Sequence, residues 1–228
     1  MDSRSIVVTG GFGALGRAVA KAFADQGHKV SRVDFAPAAP DNNPDGWDYP
    51  GVDLSDAAAC DKVLADICAN AGGVDVLVNI AGGFAWETLD DGSLDTWQRM
   101  FTMNVVTAAT ISKASLAALR SSEAGRIINI GAGGAIHAGA GLGAYAASKS
   151  GVHRLTEALA AELAGTTVTA NAILPSIIDT PTNRSDMPDA DTSNWVKPEA
   201  IADVILFLAS AAARSISGAL IPVSRGGG

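Results

Sequence analysis

Short β-branched runs alternate with alanine-rich stretches of helical length along nearly the whole chain, and that rhythm leaves few folds open. Ile6–Thr9, Lys29–Asp34, Val74–Ile80, Arg126–Ile130, Thr167–Leu174 and Ala219–Val223 read as strands. Between them Ala14–Gln26 (closed by Gly27), Asp56–Ala71, Asp95–Leu119 with a break near its start, Tyr145–Ala164 and Pro198–Ala209 read as helices. Residues 36–51 form a Pro/Asn/Gly loop, which leaves room for at most a short strand around Gly51–Leu54. A strand that passes into a helix returns by a crossover, so successive strands lie parallel with helices over both faces. The expected fold is α/β: one doubly wound domain over residues 1–228, with a seven-stranded parallel sheet and a Gly226–Gly228 tail.

The composition fits such a fold. Of 228 residues, 48% are hydrophobic and only 18% charged, which is ample for a core and suggests that some surface is buried again between subunits. The small side chains of Ala158, Ala160 and Ala161 on the Tyr145–Ala164 helix point the same way, towards a homodimer or homotetramer. A formal charge of −8 argues against nucleic acid or an anionic membrane as partner, leaving a small molecule. No apolar run reaches the roughly 18 residues of a membrane span. Ile6-Val7-Val8 begins a strand so early that no signal peptide is expected. Cys60 and Cys68 lie two helical turns apart, poorly placed for a mutual disulfide, and read as small buried hydrophobes in a reducing cytoplasm. With no Cys/His cluster, no metal site is expected.

Directly after the first strand, Thr9-Gly10-Gly11-Phe12-Gly13-Ala14-Leu15-Gly16 opens the first helix. Glycines between a strand and a helix let backbone amides approach a pyrophosphate at the positive helix end, as in a Rossmann domain. Further on, the second strand ends in Asp34, where a carboxylate would accept from ribose hydroxyls and repel a 2′-phosphate. No Lys or Arg follows at 35 or 36, and Phe12 brings no cation to the loop. Arg32, on the same strand face, is within reach of the site, but the balance favours NAD(H) over NADP(H). Asp53 either bonds the adenine or caps its own loop.

Tyr145 and Lys149 stand one helical turn apart and share a face. An ammonium beside a phenol favours the phenolate, which would bring the tyrosine pKa down towards a useful range for acid–base work. Asn79-Ile80-Ala81-Gly82-Gly83 leaves space for a flat ligand, with Asn79 better suited to fastening strands together. Asn104, a polar residue in an apolar stretch, either bonds a backbone carbonyl or kinks the helix around a water. Pro175-Ser176-Ile177-Ile178-Asp179-Thr180-Pro181 follows the sixth strand, and the polar, turn-rich run at about 181–197 reads as a lid over a substrate.

The order TGxxxxxG, strand-end Asp, NxAG, mid-helix Asn, YxxxK and PSxxxT, spanning residues 9 to 180, resembles the short-chain dehydrogenase/reductase family. The resemblance implies that Tyr145 is the catalytic acid and that Lys149 binds the nicotinamide ribose and lowers the tyrosine pKa. It implies that Asn104 holds a proton-relay water. The cofactor positions it implies are Thr9, Gly10, Phe12, Ala14, Leu15 and Gly16 in the loop, then Asp34, Asp53, Asn79, Ala81, Gly82, Lys149, Pro175, Ile178 and Thr180. Thr9 would tie the loop to the sheet. Ala14 stands where the family's middle glycine is usual, and Ser176 where a glycine follows the late proline. The consequential departure is Ala132, at the place of the family's substrate-holding Ser; His137 is the sole polar side chain from Gly131 to Gly143.

Within the family the chain resembles the quinonoid dihydropteridine reductase branch, which also lacks that Ser. The similarity rests on the Gly10–Gly16 loop, Ala81-Gly82-Gly83-Phe84 and the lid block Asp179-Thr180-Pro181-Thr182-Asn183-Arg184 with Met187-Pro188 and Trp195. A quinonoid pterin takes hydride into a conjugated imine and a proton on nitrogen, so it needs no clamp on a carbonyl oxygen. The expectation is an NADH-dependent reductase of this kind. The alternatives are a general ketone or 3-oxoacyl reductase and, from another class, a catalytically silent NAD(H)-binding sensor or scaffold.

Overall fold

A computed structural model of the chain describes residues 3–43 and 46–225. Pro44 and Asp45 of the predicted loop and the Gly226–Gly228 tail lie outside them. Seven parallel strands form one sheet in the order β3-β2-β1-β4-β5-β6-β7. They are β1 Ser5–Thr9, β2 Lys29–Val33, β3 Gly46–Tyr49, β4 Val76–Asn79, β5 Arg126–Ile130, β6 Thr169–Pro175 and β7 Leu220–Val223. The helices are α1 Ala14–Ala24, α2 Ala57–Ala71, α3 Leu94–Phe101, α4 Thr107–Ser121, α5 Gly143–Glu162, α6 Pro181–Asp186 and α7 Pro198–Ala209.

Both sheet faces are covered, which is why β1, β4, β5 and β6 are buried at every position rather than at alternate ones. Side chains still alternate between faces. Ile6 and Val8 of β1 pack with Val19 and Phe23 of α1 and Ile201 and Ile205 of α7, while Val7 faces Ile67 of α2, Ile111 of α4 and Leu159 of α5. The strand order reverses between β1 and β4, and open parallel sheets bind ligands outside the C-terminal ends of the strands at such a point.

One strand falls elsewhere than the sequence suggests. The third is Gly46–Tyr49, within the predicted loop, and not around Gly51–Leu54. A long-range ion pair fixes it: Arg32 of β2 donates from Nε and Nη2 to the two carboxylate oxygens of Asp48, at 2.8 and 2.9 Å. The expected break near Asp95 is present as one π-helical turn, Thr102–Val106, between α3 and α4. The lid region also carries a short helix, α6, whose start is set by Thr180 as N-cap and Pro181 in the first turn. Its far end is anchored, since Trp195 and Val196 are buried and Val196 bridges Ile178. Among the described residues no helix is long and apolar enough to cross a membrane.

Candidate active site

A groove of about 800 Å³ opens along the C-terminal edge of the sheet at the β1–β4 switch point. The Gly10–Gly16 loop walls one side, Asp34–Ala36 and Val52–Ser55 one end, Ile80–Gly82 with Thr102, Met103 and Thr107 the other, and Thr180 and Thr182 the rim. The loop is held tightly to the sheet. Gly10 has φ +62°, and a Cβ on it would stand 2.9 Å from the Ala81 amide nitrogen. A Cβ on Gly16 would collide with the Gly10 carbonyl, so the helix can begin this close to the loop only if residue 16 is bare. Thr9, 1% exposed, donates to the Val78 carbonyl and accepts the Ile80 and Ala81 amides at 3.1 and 3.2 Å, tying loop to sheet. Phe12, Ala14 and Leu15 line the groove where α1 opens. A bare, amide-rich turn at the start of an α-helix fits a pyrophosphate.

Asp34 closes the neighbouring corner. Its carboxylate accepts the Phe12 amide at 2.9 Å and the Ala36 amide at 3.0 Å, which aims it into the groove with lone pairs to spare. Arg32 does not compete for that corner. Its guanidinium is forked onto Asp48, bonded to Asp41 at 2.6 Å, and lies 5.5 Å from the centre of the Phe12 ring. Asp53 lines the groove, but one carboxylate oxygen is taken by the amide and hydroxyl of Ser55, which hold its pKa below the usual carboxylate range.

Five cofactor positions implied by resemblance lie off the groove wall: Thr9, which ties the loop from behind, Lys149, described below, and Asn79, Pro175 and Ile178. Asn79, 4% exposed, donates to Ser112 and to Asn129 at 3.0 and 2.8 Å, so its amide binds β4 to α4 and β5. That is the strand-fastening role its residue type suggests. Pro175 closes β6, and Ile178 is spent on the bridge to Val196. Thr180 does reach the rim while its Oγ1 caps α6 by accepting the Asn183 amide at 3.1 Å.

Of the chemistry-bearing pair, Lys149 sits behind Gly82. A Cβ on Gly82 would be 3.5 Å from Lys149 Nζ, and that ammonium donates to the Ile130 carbonyl at 2.8 Å. Asn104, within the π-turn and 1% exposed, clamps the adjoining loop. It accepts the Gly83 amide at 3.0 Å and donates to the Gly83 carbonyl at 3.1 Å and to Ser148 at 3.0 Å. Ser148 in turn donates to the Tyr145 carbonyl at 2.7 Å. The side-chain amide of Asn104 is therefore committed to holding the 82–84 loop against α5. Phe84, at the end of that loop, meets the Tyr145 ring edge-on at 4.9 Å between centroids.

The electrostatics differ from the expectation drawn from spacing. Burial pushes the Tyr145 phenol up to about 12 and the Lys149 ammonium down to about 8. Loss of water around each group is the cause of both shifts, because each charged form would be stranded among backbone and apolar groups. At neutral pH the phenol is thus a proton donor and the lysine is charged but costly to keep so. Ala132, 5% exposed, brings only a methyl group to the end of β5. Two neighbours escaped the sequence reading: Ser148, which links Asn104 to α5, and His153, which accepts the Ala132 amide at 3.3 Å. Helical spacing from Lys149 was the available signal for His153.

Known proteins are similar to this chain over nearly its whole length. A 3-oxoacyl-[acyl-carrier-protein] reductase of Mycobacterium tuberculosis is 32% identical over 99% of this chain and 93% of its own length. A meso-2,3-butanediol dehydrogenase of Serratia marcescens is 31% identical over 99% of this chain and 94% of its own. The ligand-free aldohexose dehydrogenase of Thermoplasma acidophilum superposes with a TM-score of 0.88 at 26% identity, covering 97% of this chain and 92% of that one. Residues 4–191 match the short chain dehydrogenase family, and the chain belongs to it.

Proposed function

We propose that the chain is an NAD(H)-linked oxidoreductase that reduces a small carbonyl acceptor, a ketone or 3-oxoacyl group, with Tyr145 as the proton donor. The observation that carries the reading is Lys149, held behind Gly82 of a groove built for a dinucleotide, one helical turn from Tyr145, whose ring meets Phe84 of the same loop. Nicotinamide, when bound, supplies the hydride. The chain's own residues do the rest: Lys149 brings positive charge to the site, Asn104 fixes the loop, and the protonated phenol delivers its proton to the acceptor. The carbonyl class is supported by the relatives named above, which act on 3-oxoacyl and diol substrates. Preference for NADH over NADPH is supported by Asp34 in the groove corner and by the neutralisation of Arg32 by Asp48 and Asp41.

Ala132 favours a second acceptor, a quinonoid dihydropterin. A methyl group in the place of the family's Ser offers no bond to a carbonyl oxygen, and protonation on a ring nitrogen does not require one. The Asp179–Arg184 block of the lid supports the same reading. One panel distinguishes them: NADH oxidation with a short ketone, a 3-oxoacyl thioester and chemically generated quinonoid dihydropterin. Turnover of the pterin alone would displace the carbonyl reading, and turnover of the oxo compounds alone would remove the pterin. Tight NADH binding with no turnover of any of them would favour the silent sensor. Exposed Leu94, Trp97 and Phe101 on α3 support a homo-oligomer, testable by light scattering.

A further inference from the structure

α5 carries Tyr145, Lys149 and His153 at successive turns, so the three share one face. The reaction proposed above uses only the first two. His153 is 4% exposed, and its Nε2 accepts the Ala132 amide at 3.3 Å. One turn earlier, Lys149 donates to the Ile130 carbonyl at 2.8 Å. Two side-chain rungs thus fasten the C-terminal end of β5 to α5, one on each side of Gly131. The imidazole lies directly on that glycine, for a Cβ on residue 131 would come within 2.6 Å of His153 Nε2 and 3.3 Å of Leu174. Residue 131 is bare because the ring occupies its side-chain space. The residue so held, Ala132, stands where the family places its substrate-binding Ser.

We propose that His153 is a positioning residue for the acceptor: by holding the Ala132 amide it sets where residue 132 stands relative to Tyr145. The proposal rests on the reading of Tyr145 as proton donor. Accepting from an amide requires a bare Nε2, so the hydrogen bond assigns the proton to Nδ1. Protonation would turn Nε2 into a second donor facing the Ala132 N–H, and the rung would break. Burial disfavours that cation, as do Arg154 and Lys149, while Glu157 opposes them; all three lie on α5. Gly131 and Leu174, which contact the ring site from β5 and β6, are uncharged. The rung therefore fails only below the ordinary histidine range, and acceptor binding acquires an acid limit that NADH binding does not share.

The test joins amide NMR of the full chain to steady-state kinetics. In the wild type, the Ala132 amide signal should move with the titration of the His153 ring. In His153→Gln, whose side-chain oxygen can still accept, the amide should stop responding to pH, and the acid limb of kcat/KM for the acceptor should vanish with KM nearly unchanged. His153→Leu should raise acceptor KM about tenfold, the effect of leaving one buried amide unpaired, with NADH affinity unaltered. An Ala132 amide indifferent to the ring titration, or an acid limb that persists in His153→Gln, would overturn the proposal. Should the wild type turn over no acceptor, the reductase reading fails. The positioning proposal, which rests on that reading, fails with it, whereas an indifferent amide in a protein that does turn over an acceptor overturns the positioning proposal alone.

Discussion

Replacing Lys149 with Met should abolish turnover and yet make the fold more stable at neutral pH. The fall of the Lys149 pKa from 10.5 to about 8 on folding corresponds to about 3 kcal/mol of destabilisation while the group is charged. Methionine has a similar reach without the charge, but it leaves the Ile130 carbonyl without its 2.8 Å donor, at a cost of about 1–2 kcal/mol. The net expectation at pH 7 is a variant more stable by about 1–2 kcal/mol. The sign with pH follows from proton counting. Between pH 8 and 10.5 the unfolded lysine keeps a proton that the folded one has lost, so wild-type stability rises relative to the variant across that window. The variant's advantage should shrink by up to about 1.4 kcal/mol per pH unit and reverse. Tyr145, raised to about 12, loses stability only above pH 10, and does so in both proteins, so it cancels in the difference. Urea unfolding of both proteins from pH 6.5 to 9.5 measures this. A Lys149→Met variant that is less stable at pH 7, with a difference flat in pH, would refute the argument that burial burdens this lysine.

Other outcomes follow from the same geometry. Ala132→Ser should raise ketone reduction by about a hundredfold, since a donor on the acceptor oxygen contributes about 3–4 kcal/mol in other enzymes; an unchanged kcat/KM would show that residue 132 does not face the acceptor. Gly16→Ala should cost about 1–3 kcal/mol in thermal unfolding and sharply weaken NADH binding by calorimetry, because its Cβ meets the Gly10 carbonyl. Asp48→Asn should destabilise by about 3 kcal/mol by leaving Arg32, 4% exposed, short of its main counter-charge. Asp34→Ser should narrow the preference for NADH over NADPH, read as the ratio of the two dissociation constants.

Features set by neighbours along the chain were legible in the sequence. The glycine loop, the Tyr145–Lys149 column and six of the seven strands depend on spacing within one element, and the structure keeps them. What depends on distant contacts was not legible. β3 exists because Asp48 meets Arg32 on β2, a pairing that no pattern within residues 36–51 announces. Asn79 sits where resemblance puts a cofactor residue, but burial turns its amide towards Ser112 and Asn129. The pKa of Tyr145 went the other way from the spacing argument because desolvation is a property of the packed site. The helix α6 was in principle readable, since Thr180-Pro181 is an N-cap followed by a first-turn proline. His153 was hidden differently: a histidine on an apolar helix face looks like core until the Ala132 amide is found on it.

The central claim is hydride transfer with Tyr145 as donor of the accompanying proton. NADH carrying deuterium at the transferable position, incubated with the acceptor panel and followed by mass spectrometry of the products, tests it most directly. The account predicts label in the reduced acceptor with wild-type protein, none with Tyr145→Phe, and equal NADH affinity for the two. Label transfer undiminished in Tyr145→Phe, or tight NADH binding with no label in any product, would contradict it.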